Sequence, residues 1–65
     1  MKTYKITGVN YYGYCFGKEF ETEYEARQYF DKKLALKSTV ALTMWVNGEV
    51  VKAFESHGDK LVQVM

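Results

Sequence analysis

The sequence predicts one small α+β domain covering residues 1–65, with the order ββαβββ and an antiparallel sheet of four to five strands. Two observations carry this prediction. Two β-prone runs surround the pair Asn47-Gly48, and Asn-Gly is the strongest short-range signal for a hairpin. A capping box at Thr22–Glu25 begins a stretch with apolar residues at helical spacing, and we expect this helix to pack across one face of the sheet.

The core of so short a chain must come from apolar packing alone. Sixty-five residues lie near the lower limit at which a domain folds without disulfides or metal. The single cysteine excludes an internal disulfide, and no metal-ligand spacing is present, so we expect no metal or cofactor. Aromatic residues make up 17% of the chain, so a few large side chains should supply much of the burial.

The charge and hydropathy of the chain argue against nucleic-acid and membrane partners. Nine basic and eight acidic residues give a formal net charge of +1, which is too small to attract nucleic acid or an anionic membrane. No apolar run reaches the ~18 residues of a transmembrane helix, and the N-terminus leads into a strand pattern rather than a signal peptide. A free cysteine without a secretory signal predicts a cytoplasmic location.

The first two strands are predicted to form a hairpin. Residues 2–9 alternate, with Tyr4 and Ile6 on one side, which is the pattern of a half-buried strand. Turn residues follow at 10–13, and residues 14–20 resume a β-like pattern. The sequence allows registers of this hairpin that differ by one or two residues.

Residues 22–36 are predicted to form the helix. Thr22 is its N-cap, and the Glu25 side chain can reach back to complete the capping box. Glutamates near the start and lysines near the end complement the helix dipole. The positions expected to face the sheet are Ala26, Tyr29, Phe30 and Leu34.

Residues 39–46 and 49–55 pair around the Asn-Gly turn, which places Trp45 opposite Val50 and Met44 opposite Val51. Because side chains alternate along a strand, this hairpin has two faces. The inner face is predicted to pack against the helix, and it carries Val40, Leu42, Met44, Val46, Val51 and Ala53. The outer face carries Ala41, Thr43, Trp45, Val50, Lys52 and Phe54. A turn at 56–59 and a β-prone run at 60–65 predict a fifth strand.

The outer face needs a separate explanation, because a helix of about 13 residues is ~20 Å long and covers one face of a small sheet only. Three arrangements are open: the sheet closes into a partial barrel, two copies stack face to face, or another protein docks there. The predicted partner-binding residues are Trp45, Val50, Phe54, Tyr14 and Phe16.

The segment Tyr12-Gly13-Tyr14-Cys15-Phe16 presents alternate aromatic residues along one strand. It resembles the base-stacking motif of the RRM family, in which sheet aromatics stack on RNA bases. The resemblance implies single-stranded nucleic-acid binding as an alternative function. The RRM order is βαββαβ, however, and a net charge of +1 disfavours a phosphate-bearing partner.

No catalytic residues are predicted. Ser56, His57 and Asp59 lie too close together in one turn to adopt the geometry of a nucleophile, a base and an orienting group. Cys15 has no histidine near it in sequence, and a small buried hydrophobic residue is its expected role. We therefore expect no enzyme activity, and a small enzyme subunit is the third alternative.

The leading functional hypothesis is a small non-enzymatic binding module that uses the outer face of its sheet. Its partner is another protein or a second copy of the chain. Small size, a single cysteine and no visible catalytic set resemble the profile of inhibitors and adaptors encoded by phages and other mobile elements.

Overall fold

Two strands, one helix and three further strands follow one another in the computed structural model, which describes residues 2–58 and 60–65. This order confirms the predicted ββαβββ arrangement. The elements are β1 (Tyr4–Asn10), β2 (Cys15–Phe20), α1 (Glu23–Ala35), β3 (Thr39–Val46), β4 (Glu49–His57) and β5 (Lys60–Gln63).

The five strands form one antiparallel sheet with the spatial order β2-β1-β3-β4-β5. The helix connects β2 to β3, which lie on either side of β1, and it packs mainly against these three strands. β2 and β5 are the edges of this sheet and do not pair with each other in the described part of the chain, so the strands do not close into a ring. Within the described ranges, no helix is long and apolar enough to cross a membrane.

The inner face is the side of the sheet that the helix covers, and it holds the core. The buried apolar residues are Tyr4, Ile6, Ala26, Phe30, Leu42 and Met44. Ile6 and Leu42 have no exposed surface, while Tyr29 and Leu34 pack at the margin. Most of the core predicted from the sequence is confirmed. Val51 is 50% exposed and does not belong to it.

Val51 is displaced by a β-bulge in the hairpin of β3 and β4. Next to the turn the pairing is as predicted, with Trp45 opposite Val50. The register then shifts, so that Met44 lies opposite Lys52 and Val51 is the extra residue on β4. Because a one-residue shift moves every later side chain to the other face, the faces predicted for residues 52–54 are wrong.

The bulge brings Phe54 to the inner face, where it lies opposite Leu42. Its ring centroid is 5.7 Å from that of Phe30, so the largest side chain of β4 packs against the helix. On the outer face, Ala53 takes the place opposite Thr43 that was predicted for Lys52, and Glu55 takes the place opposite Ala41 that was predicted for Phe54. Lys52 also moves to the inner side, and its ammonium lies 5.7 Å from the Phe30 ring centroid.

The helix begins and ends where its sequence signals predict. The Thr22 hydroxyl oxygen accepts from the Glu25 backbone N–H at 3.3 Å, and Leu36 is the C-cap. The Glu25 carboxylate accepts from the Thr22 hydroxyl at 2.9 Å, so it closes the capping box through the side chain rather than the expected Thr22 N–H. The bond from the Glu25 N–H satisfies a backbone donor that the first helical turn would otherwise leave unpaired.

We expect Thr22→Ala to lower the free energy of unfolding by about 1 kcal/mol, because it removes the cap acceptor. For a domain of this size, that corresponds to a loss of about 4–8 °C in Tm. Thermal unfolding followed by circular dichroism measures the change. Thr22→Ser keeps the hydroxyl and should unfold close to the wild-type Tm; equal losses in both variants would contradict a role for the cap.

Candidate functional site

The outer face is the side of the sheet away from the helix, and no described element covers it. It consists of Lys5, Thr7, Val9, Cys15, Gly17, Glu19, Ala41, Thr43, Trp45, Val50, Ala53, Glu55, His57, Lys60 and Val62. The cross-strand row through its centre joins Gly17, Thr7, Thr43 and Ala53, which are small and uncharged. The charged residues lie towards its two ends, so the middle of the face carries no charged side chain.

Trp45 is the large side chain on this face, and the structure places both Trp45 and Val50 there, as predicted. The indole N–H of Trp45 donates to the Thr7 hydroxyl oxygen at 2.9 Å, which holds the half-buried ring in one orientation. The ring borders a shallow hollow of about 350 Å³ together with Lys5 and Glu19. Trp45 is therefore a pre-ordered aromatic group on an uncovered surface, which is the character of a binding anchor.

Phe54 and Phe16 do not belong to the outer face, contrary to the sequence prediction. Phe54 packs on the helix through the bulge described above. Phe16 pairs with Gly8 on the inner side, and the Lys33 ammonium lies 4.8 Å from its ring centroid. The absence of a side chain at Gly8 leaves the space that the Phe16 ring fills.

The row of stacking aromatics predicted from the RRM resemblance is therefore not formed. Tyr14 precedes β2 and is 69% exposed, whereas Phe16 lies within the strand and faces the helix. Tyr12 is 81% exposed in the turn before it. These rings do not share one sheet face on which successive bases could stack.

The turn between β1 and β2 instead forms an exposed tyrosine cluster of Tyr11, Tyr12 and Tyr14. Its backbone is held by Asn10, whose Oδ1 accepts from the N–H groups of Tyr12 and Tyr14, each at 3.0 Å. Gly13 has a φ of +80°, and its N–H donates to the Asn10 carbonyl oxygen at 3.0 Å. The sequence showed turn composition here, but only the structure shows that the three rings project into solvent.

Charge is distributed unevenly along the strand direction, although the net charge is only +1. The end of the sheet that holds the helix N-terminus and the β3–β4 turn carries Glu19, Glu21, Glu23, Glu25 and Glu49. The other end holds the tyrosine cluster, the helix C-terminus and the β4–β5 turn, and it carries Lys32, Lys33, Lys37 and Lys60. Lys2 and Lys5 at the first end, and Glu55 at the second, offset part of this difference.

The candidate catalytic groups are not brought together. Cys15 is exposed rather than buried as expected, because β2 is an edge strand and the outer face has no cover. His57 and Glu55 both lie on β4, and Nε2 of His57 is 3.9 Å from Oε2 of Glu55. Cys15 lies on β2, which three strand spacings, about 14 Å, separate from β4. Asp59 lies outside the described residues. The lack of enzyme activity stays a prediction.

No grouping of three or more His, Cys, Asp or Glu side chains suited to a metal occurs within residues 2–58 and 60–65. The centre of the outer face offers apolar area, hydroxyl groups and one anchored indole. No protein-family model matches this chain, and no curated protein or solved structure matches it significantly.

Proposed function

We propose that this protein is a small non-enzymatic binding module that recognises another protein surface through the outer face of its sheet. The observation that carries the proposal is a sheet with one covered face and one uncovered face, in which the uncovered face has an uncharged centre and a fixed tryptophan. Such a face loses little side-chain freedom on binding, because its central residues are small and Trp45 is already held by Thr7.

The size of the face favours a weak or transient complex. Five strands at a spacing of ~4.8 Å, with about seven residues each, give a planar area of roughly 450 Å². Each partner in a standard protein complex buries about 800 Å² of accessible surface. We therefore expect a concentration-dependent association of the kind that adaptors and inhibitors use, with another protein or with a second copy as the partner.

We expect Thr43→Glu to weaken this association about tenfold or more, because it places a charge in the centre of the face that a partner must desolvate. Light scattering over a range of concentrations measures self-association, and retention on immobilised protein measures binding to a host protein. Trp45 is the only tryptophan, so a shift of its emission on association reports contact with this face.

The matched control is Gln28→Glu, which introduces the same charge on the exposed side of the helix. This variant should associate like the wild type. Circular dichroism should show that both variants keep the fold. Equal association by Thr43→Glu and the wild type, or an equal loss in Gln28→Glu, would show that the outer face is not the binding surface.

A further inference from the structure

The edge strand β2 directs half of its backbone hydrogen-bonding groups away from the sheet. The Asn10 N–H donates to the Tyr14 carbonyl oxygen at 2.9 Å, and this pair continues the register of β1 and β2. Because hydrogen-bonded pairs alternate along an antiparallel ladder, every second residue from Tyr14 onwards bonds to β1. The residues between them direct N–H and C=O groups to the free edge, and these are Cys15, Gly17 and Glu19.

The other side of β1 agrees with this assignment. The Asn47 N–H donates to the Thr3 carbonyl oxygen at 2.9 Å, in the register of β1 and β3. Lys5 and Thr7 therefore bond to β3, and the alternate residues of β1 are left to bond to β2. In the described part of the chain, no strand pairs with the far side of β2.

Two lysine ammoniums flank this edge on the helix side of the sheet. Lys18 lies opposite the fully buried Ile6, so its side chain belongs to the inner face. Its Nζ is 5.5 Å from the ring centroid of Phe20 and 5.8 Å from that of Tyr29. Nζ of Lys33, on the helix, is 5.4 Å from the same Tyr29 centroid. Both charges therefore stand beside β2.

Neither lysine forms an ion pair with a carboxylate of residues 2–58 and 60–65, where the one ion pair joins His57 to Glu55 on β4. On the helix, the Glu25 carboxylate accepts from the Thr22 hydroxyl in the capping box. Glu19 lies on the outer face, and the glutamates that follow β2 lie beyond its end. The inner side of this edge is therefore cationic.

We propose that the edge of β2 binds an extended acidic segment of a partner protein as a sixth strand of the sheet. Side chains of the added strand that lie opposite Phe16 and Lys18 point to the helix side, where carboxylates would stand beside Lys18 and Lys33. The backbone groups of the free edge hold the segment, and the two lysines select its charge.

A second copy of this chain is a poor occupant of the edge. If β2 paired with β2 of a second copy along most of its length, the two Lys18 side chains would lie opposite each other or two positions apart on one face. Each Lys33 would add a further positive charge. Like charges across a strand pair are destabilising, and charged side chains on edge strands oppose self-pairing. The same lysines favour a strand of opposite charge.

This site is the edge of the sheet and not its outer face, so it goes beyond the function proposed above. Thr43 lies on β3, two strands away from the edge, and Thr43→Glu leaves the edge unchanged. The two proposals therefore fail or succeed through different variants.

A fluorescein-labelled peptide in which glutamate alternates with threonine is the probe, and fluorescence anisotropy measures its affinity. Threonine favours an extended chain, and the alternation places all carboxylates on one side of it. We expect the wild-type protein to bind this peptide, with an affinity that falls as salt is added. Lys18→Glu should bind about tenfold more weakly or not at all.

The matched control for this variant is Lys52→Glu. Lys52 is also an inner-face lysine beside an aromatic ring, with Nζ 5.7 Å from the Phe30 centroid, but it lies on β4. This variant should keep the affinity within about twofold. Circular dichroism should show that both variants keep the fold.

A second pair of variants tests the backbone of the edge. Gly17→Pro removes an N–H that the sheet does not use, and edge strands tolerate proline where the N–H faces solvent. It should lower the affinity for the peptide about tenfold or more, whereas Gly17→Ala keeps the N–H and should bind like the wild type.

Hydrogen exchange on the wild-type protein needs no substitution. The peptide should slow exchange at the edge amides of Cys15, Gly17 and Glu19. The amides of Phe16 and Lys18 already bond to β1 and should change little. This alternation separates an added strand from binding of the peptide elsewhere on the protein.

Several results would overturn the proposal. These are no binding of the acidic peptide, equal losses in Lys18→Glu and Lys52→Glu, unchanged binding by Gly17→Pro, or equal binding of a peptide in which lysine replaces glutamate. Self-association of the free protein that Gly17→Pro removes would assign the edge to a second copy instead. Binding of the acidic peptide that protects alternate amides of β2 and is lost only in the edge variants supports it.

Discussion

Replacing Leu42 with Ala is expected to remove most of the folding stability of this protein. Leu42 has no exposed surface, and it lies on β3 between Gly8 of β1 and Phe54 of β4. Truncating such a leucine costs about 2–5 kcal/mol, from lost apolar burial and from the cavity that remains. A 65-residue domain has roughly 3–10 kcal/mol in total.

Urea denaturation followed by Trp45 fluorescence measures this loss as a lower midpoint, or as a chain that is already unfolded without urea. Leu36→Ala is the matched control, because it makes the same truncation at a side chain that is 44% exposed beyond the helix. We expect it to cost less than about 1 kcal/mol. Similar losses in the two variants would contradict the core described above.

The second large effect is expected from Gly8→Ala, which should destabilise the fold by about 1–3 kcal/mol. A Cβ at Gly8 would lie 2.5 Å from the Ala41 carbonyl oxygen and 2.5 Å from Cζ of Phe16. The Phe16 ring can turn away only by losing its packing, and the Ala41 oxygen belongs to the backbone of the neighbouring strand. Either movement disturbs the centre of the sheet.

Gly17→Ala makes the same change on the adjacent strand and should have the opposite sign. A Cβ there would lie 3.5 Å from Cγ2 of Thr7, which is ordinary van der Waals contact. The substitution should stabilise the protein by about 0.5–1 kcal/mol, because alanine restricts the unfolded chain. Thermal unfolding of the two variants side by side tests the contrast, and destabilisation by both would remove the special role of Gly8.

The parts of this fold that the sequence predicts are those with local signals. Thr22 and Glu25 identify the start of the helix because the cap bonds join residues three apart. Asn47-Gly48 identifies the central turn because both residues take a positive φ, 52° and 82°. Alternating apolar residues such as Ile6 and Leu42 identify the core through a local signal too, because their pattern follows from strand geometry alone.

The binding surface was predicted only in part, because the prediction depended on which way each aromatic side chain points. Tyr14 lies in a turn rather than on the sheet, and Phe16 and Phe54 face the helix. No local signal marks the bulge that redirects Phe54. Its contact is with Phe30, which is 24 positions away in the chain, so only the packed structure shows which register buries the ring.

The sequence by itself determined the order of the elements, the caps, the central turn and most of the core, because each follows from neighbours within a few residues. The tertiary structure decided the bulge, the inward positions of Phe16 and Phe54, and the separation of acidic and basic ends. These depend on long-range packing and on how antiparallel strands bring distant residues to the same end. For that reason Trp45 remains on an open face, while Phe16 and Phe54 pack on the helix side of the sheet.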